Sequence, residues 1–577
     1  MTLAPVLLAC LAAFVLAYFV YGRLLARLFR LDSAFRTPAH ALRDGEDYEP
    51  ASRFYLLGQH FSAISAAGPI AGPILASLWF GWEPALLWIV LGCIFIGSMH
   101  DFAALVGSVR HKACSIAEIL RRNLNPRSYA VFTLYIWLAL VYVVTAFTDI
   151  TARAFVENLT LSLPATETAP ATELHIEGAG IASSSMLYLA ISLVMGLMVR
   201  FLRPPLWLTT LVFVPLVGVA IWAGPHLPLV LRGSDALPAL PWAWAILAYC
   251  GIASVMPVWS LLQPRGYLGG FFLYLTLGGG LVGLLLANPV MQWPEFRGFT
   301  SPTGQSLVPF LFITIACGAC SGFHGLVCSG TTSKQLDREP DARLVAYGGM
   351  LLEGVVAVIS VATVAVLAVD SPVAKLGPDK VFGYGLGTFL TELGIPLEFA
   401  VSFGMLAFAT FVYDTLDVCT RLARYLFCEF TGWRGHLAGT VGTVATLALP
   451  FWLMAQTATD AAGKPIPAYL VVWPLFGATN QLLAGLTLVG LTLWIANTGR
   501  GWLLRLVVGI PMVFMMAMTV SALGMQVAGA KEWNAIAIVG SVLLVLALWI
   551  TGEALWGMVT GRHATDDATC DGHRSTQ

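Results

Sequence analysis

The chain has 577 residues, of which 58% are hydrophobic and 11% charged, and its formal net charge is −1. This composition excludes an ordinary soluble protein. The near-neutral charge excludes a partner drawn in by long-range attraction, such as nucleic acid. What remains is an all-α, polytopic membrane protein whose surroundings are a lipid bilayer.

Apolar runs of about 20 residues predict membrane-spanning helices, and the chain contains about fifteen of them. They cover residues 3–29, 57–80, 85–107, 129–151, 185–202, 205–223, 242–262, 267–287, 306–330, 345–368, 396–418, 437–456, 468–496, 502–524 and 535–558. Lys and Arg divide 24 to 7 between alternate loops, with Arg265, between spans 7 and 8, on the cation-rich side. That side is expected to face the cytoplasm, which puts the amino terminus outside and the carboxyl terminus inside.

The second span contains the most unusual stretch, HFSAISAAGPIAGP at residues 60–73. Its two Gly-Pro pairs interrupt helical hydrogen bonding, and open backbone inside a membrane is tolerated only where it is buried in protein or lines a cavity. The stretch therefore predicts a ligand site near the midplane. The alternative is a kinked packing helix, since Gly and Pro are common in membrane helices. The predicted wall of the substrate site consists of Ala67, Gly68, Pro69, Gly72 and Pro73.

Span 7 is predicted to carry a second interruption, at Met256–Trp259, and to run in the opposite direction to span 2. Five-helix blocks of opposite orientation that each begin with an interrupted helix are typical of LeuT-like inverted-repeat transporters. The expected organisation is an anchor helix and cytoplasmic loop at 1–56, a first repeat at 57–223, a second repeat at 242–418, peripheral helices at 437–558 and a disordered cytoplasmic tail at 559–577.

Span 9 contains the stretch CGACSGFHGLVCSGTTSK, residues 317–334. Its glycines favour close helix packing, and its hydroxyl groups suit a substrate or a hard cation. The alternative is a packing face whose hydroxyls bond their own helix. The candidate residues are Ser321, Gly322 and His324 for substrate binding, and Ser329, Thr331 and Thr332 for ion coupling.

The same stretch holds a CxxC pair, Cys317 and Cys320. Without further thiols or histidines at metal-ligand spacing, the pair is weak evidence for zinc or for redox chemistry. We therefore predict no metal site and no enzyme activity. An enzyme interpretation would require that the substitution Cys317→Ser abolish activity.

Ionisable side chains inside membrane spans are costly, and they are functional by default. His100 and Asp101 fall in the third span, and Glu353 falls in the tenth. A histidine that titrates near neutrality beside a carboxylate suits proton transfer, so we assign these three residues to proton coupling. The alternative is that Asp101 pairs with Arg110 or caps backbone groups, and that His100 only marks the interface.

Seven segments resemble, in the same order, motifs of the carbon starvation protein CstA family. They are RTPAHALRDGEDYEP (36–50), GQHFSAISAAGPIAGPIL (58–75), GSMHDF with SVRHKACSIAEI (97–119), MPVWSLLQPRGYL (256–268), SGFHGLVCSGTTSK (321–334), YDTLDVCTRLARY (413–425) and WPLFGATNQLLAG (473–485). The resemblance implies an inner-membrane secondary transporter with a LeuT-like core, linked to nutrient scavenging under carbon limitation. It also implies a substrate that is a peptide or pyruvate, the latter taken up by proton symport.

We therefore expect a proton-coupled importer of a small carboxylate, with pyruvate ahead of short peptides, in the bacterial inner membrane. Unwound backbone in span 2 would meet the carboxylate, because helix amino ends favour anions. No cofactor is expected beyond the coupling ion, and the sequence identifies no protein partner. Two alternatives stay open: sodium coupling, with the span 2 carbonyls and Ser321, Ser329, Thr331 or Thr332 as oxygen ligands, and a membrane receptor that binds a nutrient without transporting it.

Overall fold

The structure is a computed structural model that describes residues 1–121, 126–163, 172–235, 237–302, 304–456, 458–459, 465–466, 468–498, 501–529 and 535–560. The helices are α1 (Leu3–Phe19), α2 (Tyr21–Leu28), α3 (Pro38–Ala41), α4 (Arg53–Ile64), α5 (Gly68–Phe80), α6 (Trp82–Gly92), α7 (Ser98–Arg110), α8 (Ile116–Arg121), α9 (Pro126–Ala154), α10 (Gly178–Leu202), α11 (Leu206–Ala223), α12 (Leu240–Val255), α13 (Leu262–Ala287), α14 (Leu307–Thr314), α15 (Ala316–Ala319), α16 (Gly322–Gly330), α17 (Gly349–Ala365), α18 (Pro378–Thr391), α19 (Leu397–Thr431), α20 (His436–Met454), α21 (Ala468–Asn497), α22 (Trp502–Ala528) and α23 (Ala535–Thr560). The strands β1 (Leu159–Leu163) and β2 (Thr172–Ile176) form one antiparallel hairpin, and β3 (Ala458–Thr459) and β4 (Pro465–Ile466) form another.

The all-α, multi-span prediction is confirmed, but the count of fifteen spans is not. Within the described residues, 11 helices are long and apolar enough to cross a membrane, and the bent pair α4–α5 raises the number to 12. Three predicted spans are shorter or divided: α12 has 16 residues, span 9 is split into α14, α15 and α16, and the last span contains the shorter apolar helix Ile538–Glu553. The predicted tail at 559–577 lies, apart from the end of α23, outside the described residues.

The predicted interruption of span 2 is confirmed. Helix α4 ends at Ile64, helix α5 begins at Gly68, and the two are bent by 46°. Pro69 lies in the first turn of α5, where a missing N–H costs little because it has no partner within the helix. The break therefore lies just before the first Gly-Pro pair, at residues 65–67.

The predicted break at Met256–Trp259 is present, but it separates α12 from α13 and does not lie inside one span. Helix α12 runs to Val255, and Met256 is extended, with φ −74° and ψ 150°. Pro257 explains this ending, since a proline disfavours helical conformation in the residue before it. The second interrupted segment is span 9, whose pieces α14 and α15 pack against α5. The five-helix repeat boundaries stay a prediction.

Helices divide between a buried centre and a lipid-facing periphery. Helices α7, α17 and α19 are mostly buried, whereas only 28% of the most apolar stretch of α10 and of α11 is buried. Each of two central helices follows directly from a π-helical segment, Cys93–Gly97 before α7 and Arg343–Gly348 before α17. Such segments are frequent at functional sites, and these two precede the helices that carry His100, Asp101 and Glu353.

Candidate functional site

The interrupted helix α4–α5 lies directly against the interrupted span 9. A Cβ atom at Gly68 would be 2.3 Å from Cys317 Cβ and Sγ, and one at Gly72 would be 2.3 Å from the backbone oxygen of Thr314. These two glycines therefore permit backbone-close packing between the segments. Together with Ala67, Pro69 and Pro73, they are buried, so the predicted wall of the site is part of the contact between the two breaks.

Four ionisable side chains form a buried chain next to these breaks, here called the histidine–carboxylate chain. His100 Nδ1 lies 2.8 Å from Asp101 Oδ1, and His324 Nδ1 lies 3.0 Å from Asp101 Oδ2. On its other side, His324 Nε2 lies 3.2 Å from Glu353 Oε2. All four side chains are at most 1% exposed. The structure thus brings His100, Asp101 and Glu353 together through His324, a residue predicted to bind substrate.

Asp101 does not use the alternative partner considered above. Arg110 instead pairs with Glu339, whose Oε1 lies 2.6 Å from the Arg110 Nε atom. Both oxygens of the Asp101 carboxylate face histidines. A carboxylate held between two imidazoles in a buried setting is suited to proton transfer, because proton donors and acceptors lie next to one another.

The hydroxyl groups of span 9 divide between local and long-range partners. Ser329 donates to the Gly325 carbonyl at 2.7 Å, and Thr331 donates to the Val327 carbonyl at 3.1 Å, so both bond their own helix. Thr332 instead lies 2.9 Å from His60 Nδ1 on the last turn of α4.

Asn480 of α21 organises the start of α16. Its Oδ1 accepts hydrogen bonds from the Phe323 backbone N–H at 2.9 Å and from Ser321 Oγ at 3.2 Å. Phe323 lies in the first turn of α16, where backbone N–H groups lack partners within the helix. The side-chain amide Nδ2 of Asn480 donates to Cys317 Sγ at 3.2 Å. Asn480 therefore holds the helix on which Gly322 and His324 lie.

A second buried charge cluster, here called the arginine cluster, was not predicted. Arg265 is hydrogen-bonded to Asp417 through Nη1, and its Nε lies 2.7 Å from Asp414 Oδ1. Tyr249 OH donates to Asp417 Oδ2 at 2.7 Å, and Ser62 Oγ donates to Asp414 Oδ2 at 2.5 Å. Ser62 lies on the last turn of α4, so this cluster and the histidine–carboxylate chain flank the same break.

Assigning Arg265 to a loop is therefore wrong. It is the fourth residue of α13 and its side chain is 1% exposed. The helix begins at Leu262 and takes Pro264 into its first turn, where proline is tolerated. An available indication was that Arg265 is the only charged residue between Asp235 and Glu295, since an isolated charge in apolar sequence marks a functional position.

A third group of charges, here called the loop cluster, links the segment between α3 and α4 to α19. Asp47 Oδ1 lies 3.1 Å from Arg421 Nη1, and Asp47 Oδ2 lies 3.8 Å from Arg424 Nη2. Lys334 Nζ lies 3.6 Å from the centre of the Tyr425 ring. Burial alone would raise the pKa of Asp47, but the positive charges of Lys334, Arg421 and Arg424 lower that pKa to about 2. Asp47 is therefore a fixed anion at neutral pH.

The interrupted helices and the ionisable residues buried between them define a polytopic membrane transporter. Among solved structures, a mutant of the manganese transporter of Eremococcus coleocola shares the fold, with a TM-score of 0.50, 13% identity, and coverage of 91% of this chain and 99% of that chain. This similarity supports the LeuT-like fold alone.

The family is shown by sequence. The model of the carbon starvation protein CstA family matches residues 3–375 and 368–522, and the chain belongs to this family. It is 30% identical to the peptide transporter CstA of Helicobacter pylori over 84% of this chain and 76% of the relative. It is 27% identical to the pyruvate/proton symporter BtsT of Escherichia coli over 90% and 81%. The chain is thus a CstA-type transporter and a multi-pass inner-membrane protein.

Proposed function

We propose that the protein is a proton-coupled importer of a small carboxylate, with pyruvate ahead of short peptides. The observation that carries the proposal is the buried histidine–carboxylate chain beside the two interrupted helices. Its histidines and carboxylates offer alternating proton acceptors and donors across three helices, which suits a relay. The relatives named as a pyruvate/proton symporter and as peptide transporters support both the substrate class and the coupling ion.

The substrate meets the break in α4–α5. Helix α5 begins at Gly68, and a helix amino end favours an anion such as a carboxylate. In this proposal the amino terminus lies outside and the carboxyl terminus in the cytoplasm, and the protein needs no cofactor beyond the coupling proton.

Proton coupling is favoured over sodium coupling by the charges of the arginine cluster. The carboxylates of Asp414 and Asp417 face the guanidinium of Arg265, which already supplies a positive charge there. A sodium ion would have to compete with that charge.

The test is uptake by proteoliposomes that contain the purified protein. Labelled pyruvate and a labelled dipeptide are offered separately, with and without an inward pH gradient and with sodium replaced by choline. We expect accumulation of a carboxylate that requires the pH gradient and is unchanged in choline. Uptake that follows sodium instead would establish the sodium-coupled alternative, and tight binding without uptake would establish the receptor alternative.

A further inference from the structure

We propose that Arg265 is the receptor for the carboxylate of the substrate, and that Asp414 occupies this receptor until a proton neutralises it. The proposal rests on the proposed function and names a substrate-binding residue for it. The recognised chemistry is a carboxylate, which pyruvate and the carboxyl end of a peptide share.

Within the part of the chain that the structure describes, one edge of the Arg265 guanidinium has no hydrogen bonds, although its Nε is ion-paired with Asp414. Its Nη1 donates to Asp417 and to Tyr249 OH, the latter at 2.6 Å. Its Nε and Nη2 are buried and have no hydrogen-bond partner among the residues that the structure describes. These two atoms form the side edge of the guanidinium, and two parallel N–H donors match the two oxygens of a carboxylate.

The two aspartates contact Arg265 in different ways. Asp417 accepts hydrogen bonds from both Arg265 and Tyr249. Asp414 Oδ1 lies 2.7 Å from Arg265 Nε, yet neither atom forms a hydrogen bond within the described part of the chain. Asp414 therefore attracts this edge of Arg265 by its charge but does not accept a hydrogen bond from it. In the proposal, Asp414 is the partner that a substrate carboxylate replaces.

The arginine cluster lies beside the break in α4–α5. Ser62 donates to Asp414, and Thr415 Oγ1 donates to the Ala63 carbonyl at 3.0 Å. Both α4 residues are within three positions of Ser65, where the helix ends. A substrate at the break is thus within one helical turn of the residues that hold Asp414.

The charge environment of Asp414 contains one cation and several weak acids. The groups that face the cluster are Ser62 on α4, Tyr188 on α10, Tyr249 and Cys250 on α12, Arg265 on α13, and Tyr413 and Asp417 on α19. Arg421, one turn beyond Asp417, is turned to Asp47 and to the Ala253 carbonyl. One guanidinium thus faces two carboxylates, and a proton on Asp414 balances the charge without a further cation.

A cavity of about 260 Å³ lies along the helices that hold this cluster. Ser184 lines it on α10, one helical turn from Tyr188, whose OH donates to the Arg265 carbonyl at 2.7 Å. Leu406 lines it on α19, two turns before Asp414. Three further residues that line the cavity carry titratable side chains: His175, Glu177 and Glu398.

The exchange conserves charge. Asp414 takes up one proton, and its attraction to Arg265 weakens. The substrate carboxylate then forms two hydrogen bonds with Nε and Nη2. When the substrate leaves on the other side, Asp414 releases the proton there and pairs again with Arg265. One positive and one negative charge therefore cross together at this site, in addition to any proton carried by the histidine–carboxylate chain.

The experiment measures binding to the purified full-length protein by calorimetry, at about pH 5.5 and about pH 7.5 and in two buffers of different ionisation enthalpy. The carboxylate probes are pyruvate and alanyl-alanine. Their controls are the methyl ester of pyruvate and the carboxamide of alanyl-alanine, which lack the carboxylate charge. The proteins are the wild type, Arg265→Lys, Asp414→Asn and, as a control, Arg200→Gln. Arg200 is an exposed cation on α10.

We expect the wild type to bind a carboxylate more tightly at the lower pH and to take up about one proton per ligand. Arg265→Lys should weaken carboxylate binding about tenfold or more, because it removes a bidentate, charge-assisted contact. Asp414→Asn, which is nearly isosteric, should bind with similar affinity at both pH values and take up no proton. Arg200→Gln should behave like the wild type.

Three results would overturn the proposal: wild-type protein that binds neither carboxylate probe, unchanged affinity in Arg265→Lys, or a wild-type pH dependence in Asp414→Asn. Its failure is distinguishable from failure of the proposed function. Carboxylate binding that depends on Arg265 but gives no uptake under a pH gradient refutes only the importer. Gradient-driven uptake that is unchanged in Arg265→Lys refutes only the receptor.

Discussion

Replacing Gly72 by alanine tests whether the two interrupted segments must touch at their backbones. The new Cβ would lie 2.3 Å from the Thr314 oxygen and 3.3 Å from its carbonyl carbon. Both atoms belong to the backbone, so no flexible side chain can move away, and the segments must separate by about 1 Å to reach ordinary contact. Overpacking of this kind costs about 1–3 kcal/mol. We expect the free energy of unfolding to fall by that amount and substrate uptake to fall with it.

The assays are thermal unfolding in detergent and uptake by proteoliposomes at matched protein content. The control is Gly218→Ala, because Gly218 lies within α11 and its added Cβ would meet nothing within 4 Å. That change should be neutral or stabilise by about 0.5–1 kcal/mol, since alanine favours helix more than glycine does. Equal stability and uptake in the two variants would refute the packing argument for Gly72.

The remaining predictions concern three separate groups. Asp101→Asn removes the charge between two histidines, so proton-driven uptake should fall at least about tenfold while membrane expression changes little; normal uptake would contradict the relay. The pKa of Asp47 is lowered to about 2. The ionised carboxylate therefore stabilises the folded protein fully above the ordinary pKa of an aspartate, and this contribution is lost as the pH falls through about 2. Asp47→Asn should therefore lower the free energy of unfolding by roughly 2–3 kcal/mol, equally at about pH 5 and about pH 8; a loss that differs between these pH values would contradict this assignment. Cys317→Ser should retain uptake, because a serine Oγ can accept the hydrogen bond that the Asn480 amide donates to Cys317 Sγ; loss of uptake without loss of folded protein would point to thiol chemistry.

Local sequence features predicted the parts of the site that depend on local chemistry. The first Gly-Pro pair marks the interruption of span 2, because proline and glycine act on the backbone of their own helix. The second pair, Gly72-Pro73, lies inside α5 and does not interrupt it. Ionisable residues within apolar runs identified His100, Asp101 and Glu353. Their link through His324 was not predictable, because His324 lies 223 residues from Asp101 and only the packing of α16 on α7 brings them together.

The errors in predicting span 7 and Arg265 also arise from tertiary packing. The segment around Pro257 and Pro264 has the composition of an interrupted span followed by a loop. Instead, one proline ends α12, and the other lies in the first turn of α13. Helix α13 packs extensively on α4, and this tertiary contact holds Arg265 in the interior. No pattern within the segment distinguishes such an arginine from one in a loop.

The last turn of α4 carries His60 and Ser62, which point to nearly opposite sides because residues two apart on a helix differ by about 200°. His60 contacts Thr332 of the span 9 stretch, and Ser62 contacts Asp414. A sideways displacement of this turn that shortens one contact lengthens the other. The two contacts are therefore thermodynamically linked through one rigid turn, and such linkage is reciprocal. If ligand binding at Arg265 changes the proton affinity of a group beside His60 by some factor, protonation of that group must change the affinity for the ligand by the same factor.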